Sequence, residues 1–180
     1  MHKSTPVPHF IFIRRLPDKL MWGGLEKVMM DWFERIDYDQ CSVSLIVSKG
    51  GGDLYVQHIK ALNLPIAVIE FPFRLDFRYI DNFFVRFITT FQLFRSLKPH
   101  QIIFSQGSFV DFDLAHVMAA SWASGGNVYM HENSGTSAPL TKQKKYYFGF
   151  IPSLSLWWLT SLVTTDSNAS RRGPDNFINE

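Results

Sequence analysis

The sequence predicts an α/β sandwich of three layers, a mostly parallel sheet with helices on both faces. Three observations lead there. Short β-forming apolar runs alternate with helix-like stretches along nearly the whole chain. The runs are close to continuously apolar, as in strands covered on both faces, and do not alternate with polar residues as half-exposed strands do. Glycine or proline punctuates most junctions, at Pro17, Gly23-Gly24, Gly50-Gly51-Gly52, Pro72, Pro99 and Gly125-Gly126.

Taken in order, His9 to Ile13 is the first strand. After a loop, Leu25 to Ile36 carries apolar residues at Leu25, Val28, Met29, Trp32, Phe33 and Ile36, the spacing of one helix face. Cys41 to Val47 is a second strand and Leu54 to Leu62 a short helix. Ile66 to Phe71 is a third strand, Tyr79 to Leu97 a helix, and Gln101 to Ser105 a fourth strand. Phe112 to Trp122 is a helix and Asn127 to His131 a fifth strand. Asn133 to Thr141 reads as a linker, and Leu162 to Thr165 as a short sixth strand. Right-handed crossovers put ligands of such a sheet at the carboxyl ends of its strands. The loops after Ile13, Val47, Phe71, Ser105 and His131 are therefore the candidate site.

Length and composition narrow the class. The 180 residues suit one domain, and 46% hydrophobic against 19% charged residues argues for an ordered core. A net charge of +2 is too small for a nucleic-acid surface. The single cysteine, Cys41, makes no internal disulfide and reads as a buried strand thiol. With no secretion signal at the N-terminus, a cytoplasmic location is expected.

Gly23-Gly24 opens the first helix, where free N–H groups and the helix dipole favour an anion. It completes neither G-x-G-x-x-G nor a Walker loop, and a plain tight turn is the other reading. Gly23-Gly24-Leu25-Glu26-Lys27-Val28, following a strand and an irregular loop, resembles the G-G-x-E motif of family 4 glycosyltransferases. Leu93 to Phe104 resembles that family's passage of helix, Lys-Pro-Asp and strand, with His100 in place of the aspartate. Ala115 to Ala123, Tyr129 to Asn133 and Val163 to Ser167 resemble later landmarks. The resemblance implies a Rossmann-like domain, the N-terminal, acceptor-side half of a GT-B fold. It implies a retaining sugar transfer from a nucleotide-sugar to a glycan or lipid-linked acceptor, with no metal or other cofactor. Gly23 and Gly24 would contact the donor diphosphate. Glu26 falls in the first helical turn, where an acid also suits the dipole.

His131 is the catalytic candidate, at a strand end where an imidazole can donate to a sugar or phosphate oxygen; a solvated strand end is the alternative. Glu132 and Asn133 beside it, and Ser105 and Gln106 after the fourth strand, are acceptor-side candidates. No Gly-x-Ser-x-Gly elbow supports a hydrolase. Asp37-Tyr38-Asp39 and Asp111-Phe112-Asp113 have the D-x-D spacing of a divalent-cation site, but a turn and a helix N-cap account for them, and no metal is expected.

Phe71 to Phe94 holds nine Phe or Tyr residues among Arg74, Arg78 and Arg86. As a core helix it would turn Ile80, Phe84, Phe87, Phe91 and Phe94 inward. As an interfacial helix it would lie on a membrane. Tyr146 to Thr165 carries no charge and follows Lys142, Lys144 and Lys145, but Gly149 and Pro152 interrupt it as a spanning helix. Both segments suit a protein peripheral to the cytoplasmic membrane face. The E-x7-E motif of the family's donor domain does not occur, so a donor-binding domain or subunit is an expected partner, and the chain alone is expected to be inactive. The competing readings are a non-catalytic, membrane-docked module that recruits a donor-binding partner, and a small flavodoxin-like nucleotide binder.

Overall fold

The computed structural model describes residues 7–14, 24–48, 53–71, 83–106, 114–132 and 161–164. The element order is β1 (His9–Arg14), α1 (Gly24–Arg35), β2 (Ser42–Ser48), α2 (Asp53–Ala61), β3 (Ile66–Phe71), α3 (Phe83–Leu97), β4 (Gln101–Gln106), α4 (Leu114–Ala123), β5 (Val128–Glu132) and β6 (Ser161–Thr164). The strands form one sheet in the order β3-β2-β1-β4-β5-β6, and every pairing is parallel. The chain first winds outward from β1 to β3, then returns past it to β4 and winds the other way. The sheet therefore has a topological switch point between β1 and β4, where crossover connections diverge and leave a crevice beyond the strand tips.

Two apolar layers follow from the pleat. On one face Phe12, Leu45 and Val47 pack with Met29, Met30 and Phe33 of α1 and Tyr55 and Ile59 of α2. Phe33 is fully buried, its ring edge-on to Phe12 at 5.1 Å. On the other face Ile11, Ile13, Ile46, Ile102, Phe104 and Met130 pack with Phe94 of α3 and Val117 and Ala120 of α4. His9 ties α3 down at the amino end of the sheet. Its Nδ1–H donates to the Leu97 carbonyl at 2.8 Å, and Nε2 meets the Ser44 hydroxyl at 2.8 Å. Past α4 the chain turns through Gly125 (φ 66°) and Gly126 (φ 95°), left-handed backbone that a side chain would strain.

Two sequence expectations fail. Phe84 was expected inward, but it is 75% exposed, with Val85 and Ile88 beside it. The buried line of α3 is Arg86, Thr90 and Phe94 instead, because Thr90 faces α4 and its hydroxyl meets His116 Nδ1 at 2.8 Å. A buried polar pair thus claims the face that aromatic spacing alone assigned to phenylalanine. Cys41 is only partly buried and precedes β2; its Sγ–H donates to the Asp37 carbonyl at 3.4 Å. Burial, followed by the charge of Asp37, raises its pKa and keeps it a thiol. Ile80, Lys142, Lys144, Lys145 and nearly all of the apolar stretch after Tyr146 lie outside the described residues.

Phe33→Ala removes a buried ring from the α1 layer and should lower unfolding free energy by about 3–5 kcal/mol. Phe84→Ser should change it by no more than about 0.5 kcal/mol, because the side chain contributes little to the core. Urea denaturation of the two variants beside the parent chain checks both values.

Candidate functional site

The switch point is built around the last residue of β1. Arg14 aligns with Ser105 of β4, and Ser105 aligns with His131 of β5. Cross-strand neighbours in a parallel sheet point to the same side, so the three form a row across the strand tips. That side is the one α1 covers, and all three residues are buried.

Among the described residues the Arg14 guanidinium makes two hydrogen bonds. Nη2 donates to Glu26 Oε1 in the first turn of α1 at 2.5 Å, and Nη1 donates to the Ser105 carbonyl at 3.2 Å. The pair therefore joins the tips of β1 and β4 to the start of α1. Glu26 was legible as an acid favoured by the helix dipole; its burial against Arg14 is the additional fact. Gly24 is the first residue of α1, so the amino end of that helix lies at the same sheet edge as His131.

His131 is 1% exposed. Its Nδ1 lies 3.5 Å from the Ser105 hydroxyl, the outer limit of a hydrogen bond. Its ring meets Trp32 of α1, with centroids 4.5 Å apart and planes inclined at 49°. Its Nε2 has no hydrogen-bond partner among the described residues, and neither has Arg14 Nε. Burial, then the charge of Arg14, lowers the imidazole pKa from its ordinary 6.5. The group is thus held neutral, with one nitrogen against Ser105 and the other available as donor or acceptor according to tautomer. Tyr55 of α2 closes the same cluster. Burial and then the charge of Glu26 push its phenol upward, against an opposing effect of Arg14.

Of the residues picked out from sequence, Gly24, Ser105 and His131 meet at this edge. Gln106 and Glu132 pair with each other one position further along β4 and β5. Gly23, Asn133, Asp111 and Asp113 lie outside the described residues. Asp37 is engaged locally: the Asp39 N–H donates to its Oδ1 at 3.1 Å, closing the expected turn. Among the described residues no three His, Cys, Asp or Glu side chains are grouped to hold a metal. Arg14 and Trp32 are the residues of this candidate site that sequence reasoning missed. The available signal was a cation directly ending an otherwise apolar parallel strand, at the edge where ligands bind.

Because the folded-state pKa of His131 is lowered, the unfolded chain takes up this proton first on acidification. The stabilisation is complete above 6.5 and declines as the pH falls through the window between 6.5 and the lower folded-state value. Urea midpoints measured through that window should fall more for the parent chain than for His131→Asn. Equal declines would contradict a buried neutral imidazole.

No protein-family model matches the sequence, and no curated protein matches it. Among solved structures, the crystal structure of MurG from Acinetobacter baumannii superposes with a TM-score of 0.53 at 13% identity, covering 90% of this chain and 42% of that one. The chain thus spans less than half the length of the protein it matches. Identity this low establishes the fold alone. The fold is the Rossmann-like α/β sandwich that this chain shares with MurG, a GT-B glycosyltransferase, and the likeness does not single out family 4.

Proposed function

We propose that this chain is the acceptor-side half of a GT-B glycosyltransferase. The observation that carries the proposal is the strand order reversing between β1 and β4, with the amino end of α1, Arg14, Ser105 and His131 gathered at that reversal. The MurG likeness supports the fold and the G-G-x-E string supports family 4, whose members retain anomeric configuration. In the transfer, an acceptor hydroxyl oxygen bonds to the anomeric carbon as the bond from that carbon to the nucleoside diphosphate breaks, and the hydroxyl proton passes to the departing diphosphate oxygen. The N–H groups at the start of α1, from Gly24 on, face the diphosphate charge as it develops, and Gly23 is assigned to the same contact by its place in the G-G-x-E string. His131 hydrogen-bonds a sugar or phosphate oxygen through Nε2. Ser105, Gln106 and Glu132 at the ends of β4 and β5 are the acceptor-side candidates, with Asn133 next to them in the sequence. No metal is needed for this arrangement. The donor pocket comes from a second domain or a partner subunit.

The proposal extends to location. α3 and α4 contain no Asp or Glu, whereas α1 and α2 carry Glu26, Asp31, Glu34 and Asp53. The acid-free face exposes Phe84, Val85, Ile88 and, at 56%, Trp122, with Arg95 over the Phe91 ring at 6.0 Å. Apolar side chains beside a cation suit an anionic membrane surface. No helix among the described residues is long and apolar enough to cross a membrane.

Two experiments test these assignments. Titration calorimetry of the chain with UDP- and GDP-sugars should give no heat. A polyprenyl-phosphate-linked sugar in micelles should shift the amide resonances of Gly24, Ser105 and His131. Tight nucleotide-sugar binding by this chain alone would overturn the half-site assignment. Separately, Phe84→Glu/Ile88→Glu should reduce sedimentation with phosphatidylglycerol vesicles at least about tenfold. Unchanged sedimentation would remove α3 from the membrane contact. Vesicle binding without acceptor-induced shifts would favour a docking module that recruits a donor-binding partner.

A further inference from the structure

Sequence reasoning assigned no role to Arg14, yet it is the residue through which the other parts of the site meet. One planar guanidinium spans the Ser105 carbonyl of β4 and the Glu26 carboxylate of α1. Each of those partners leads to His131 by a second route. Ser105 presents its hydroxyl to Nδ1 from β4, and α1 presents the Trp32 ring to the imidazole face. The imidazole is thus held from two elements whose separation at this edge is spanned by Arg14.

We propose that Arg14 is the positioning residue of this site: by tying the Ser105 carbonyl to the Glu26 carboxylate, it holds the Ser105 hydroxyl and the Trp32 ring against His131 and leaves Nε2 directed to a ligand. The proposal rests on the reading of His131 as an acceptor-side group and adds to it the residue that sets its orientation. The charge on Arg14 also acts in the same direction as burial, keeping the imidazole unprotonated. Arg14 of β1 is the charge that bears on His131, Ser105 of β4 and Trp32 of α1 contact its ring, and β6 sets the uncharged Val163 beside it in register. Tyr55 of α2 belongs to the same electrostatic cluster. Asp31 and Arg35, which flank Trp32 closely along α1, are exposed.

The geometry explains why arginine is required. A lysine carries the same charge but is a point donor, and it lacks the planar fork that reaches a carbonyl and a carboxylate together. Charge and bridging can therefore be separated by substitution.

Imidazole NMR of the full chain provides the test, reading the His131 titration midpoint and the NOE between the Trp32 and His131 rings. Arg14→Met should raise the midpoint by about one pH unit and abolish the NOE. Arg14→Lys should keep the midpoint and weaken the NOE. Arg14→Met breaks a buried ion pair and destabilises the fold, so Arg14→Met/Glu26→Met serves beside it, replacing the whole pair by apolar side chains of similar volume. It should show the raised midpoint and the lost NOE as well, because Arg14 is the charge that bears on the imidazole. An unchanged midpoint together with an unchanged NOE in the folded Met variants would overturn the proposal and reduce Arg14 to an ordinary buried ion pair. The measurement reads the imidazole and not sugar transfer, so its failure would leave the half-enzyme assignment standing, and failure of that assignment would leave this result intact.

Discussion

A guanidinium buried at the tip of a central strand has to be matched on the spot, because leaving a charge unpaired in a protein interior costs several kcal/mol. Arg14 is matched by one carboxylate and one main-chain carbonyl, and each comes from a different element. That requirement couples β1, β4 and α1 at the edge where the strand order reverses. The start of α1, the Ser105 hydroxyl and the Trp32 ring are all placed by the elements this pair connects. The pair adds little net stability as such. Its consequence is geometric: α1 has one acceptable height and rotation against the sheet.

The two faces of the sandwich solve their packing differently. Over α1 and α2 the inner layer combines aromatic and aliphatic side chains with a charged cluster, and the outer surface carries acids. Over α3 and α4 the interior holds the Thr90–His116 pair and the buried Arg86, with the Phe71 ring edge-on to His116 at 4.9 Å. The outer surface of that face has no acid on either helix and exposes several large apolar side chains. In the proposed reading, chemistry and surface contact fall on different sides of one sheet. A membrane bound at α3 would leave the strand tips and the amino end of α1 accessible at the sheet edge.

Much of this was legible from residue patterns. A continuous apolar run such as Phe10 to Ile13 identifies a parallel strand, because a strand covered on both faces dispenses with polar alternation. The diglycine and the ends of β4 and β5 followed from the rule that crossovers converge at strand tips. The positions of Gly24, Ser105 and His131 at that edge were therefore legible without coordinates. α3 was misread for a definite reason. Its aromatic residues are so dense that periodicity cannot tell a core stripe from an exposed one, and the hydroxyl of Thr90 decided the rotation by pairing with His116 of another helix.

Local sequence determined the elements of this protein, their alternation, the parallel sheet and the edge on which ligands would bind, since propensity, periodicity and chain punctuation act over a few residues. Tertiary structure alone decided that Arg14, Glu26, Ser105, Trp32 and His131 form one cluster. Those residues are separated by up to four crossovers along the chain, and what joins them is the neutralisation of a buried charge. That requirement arises only once the strands are side by side and water has been excluded between them.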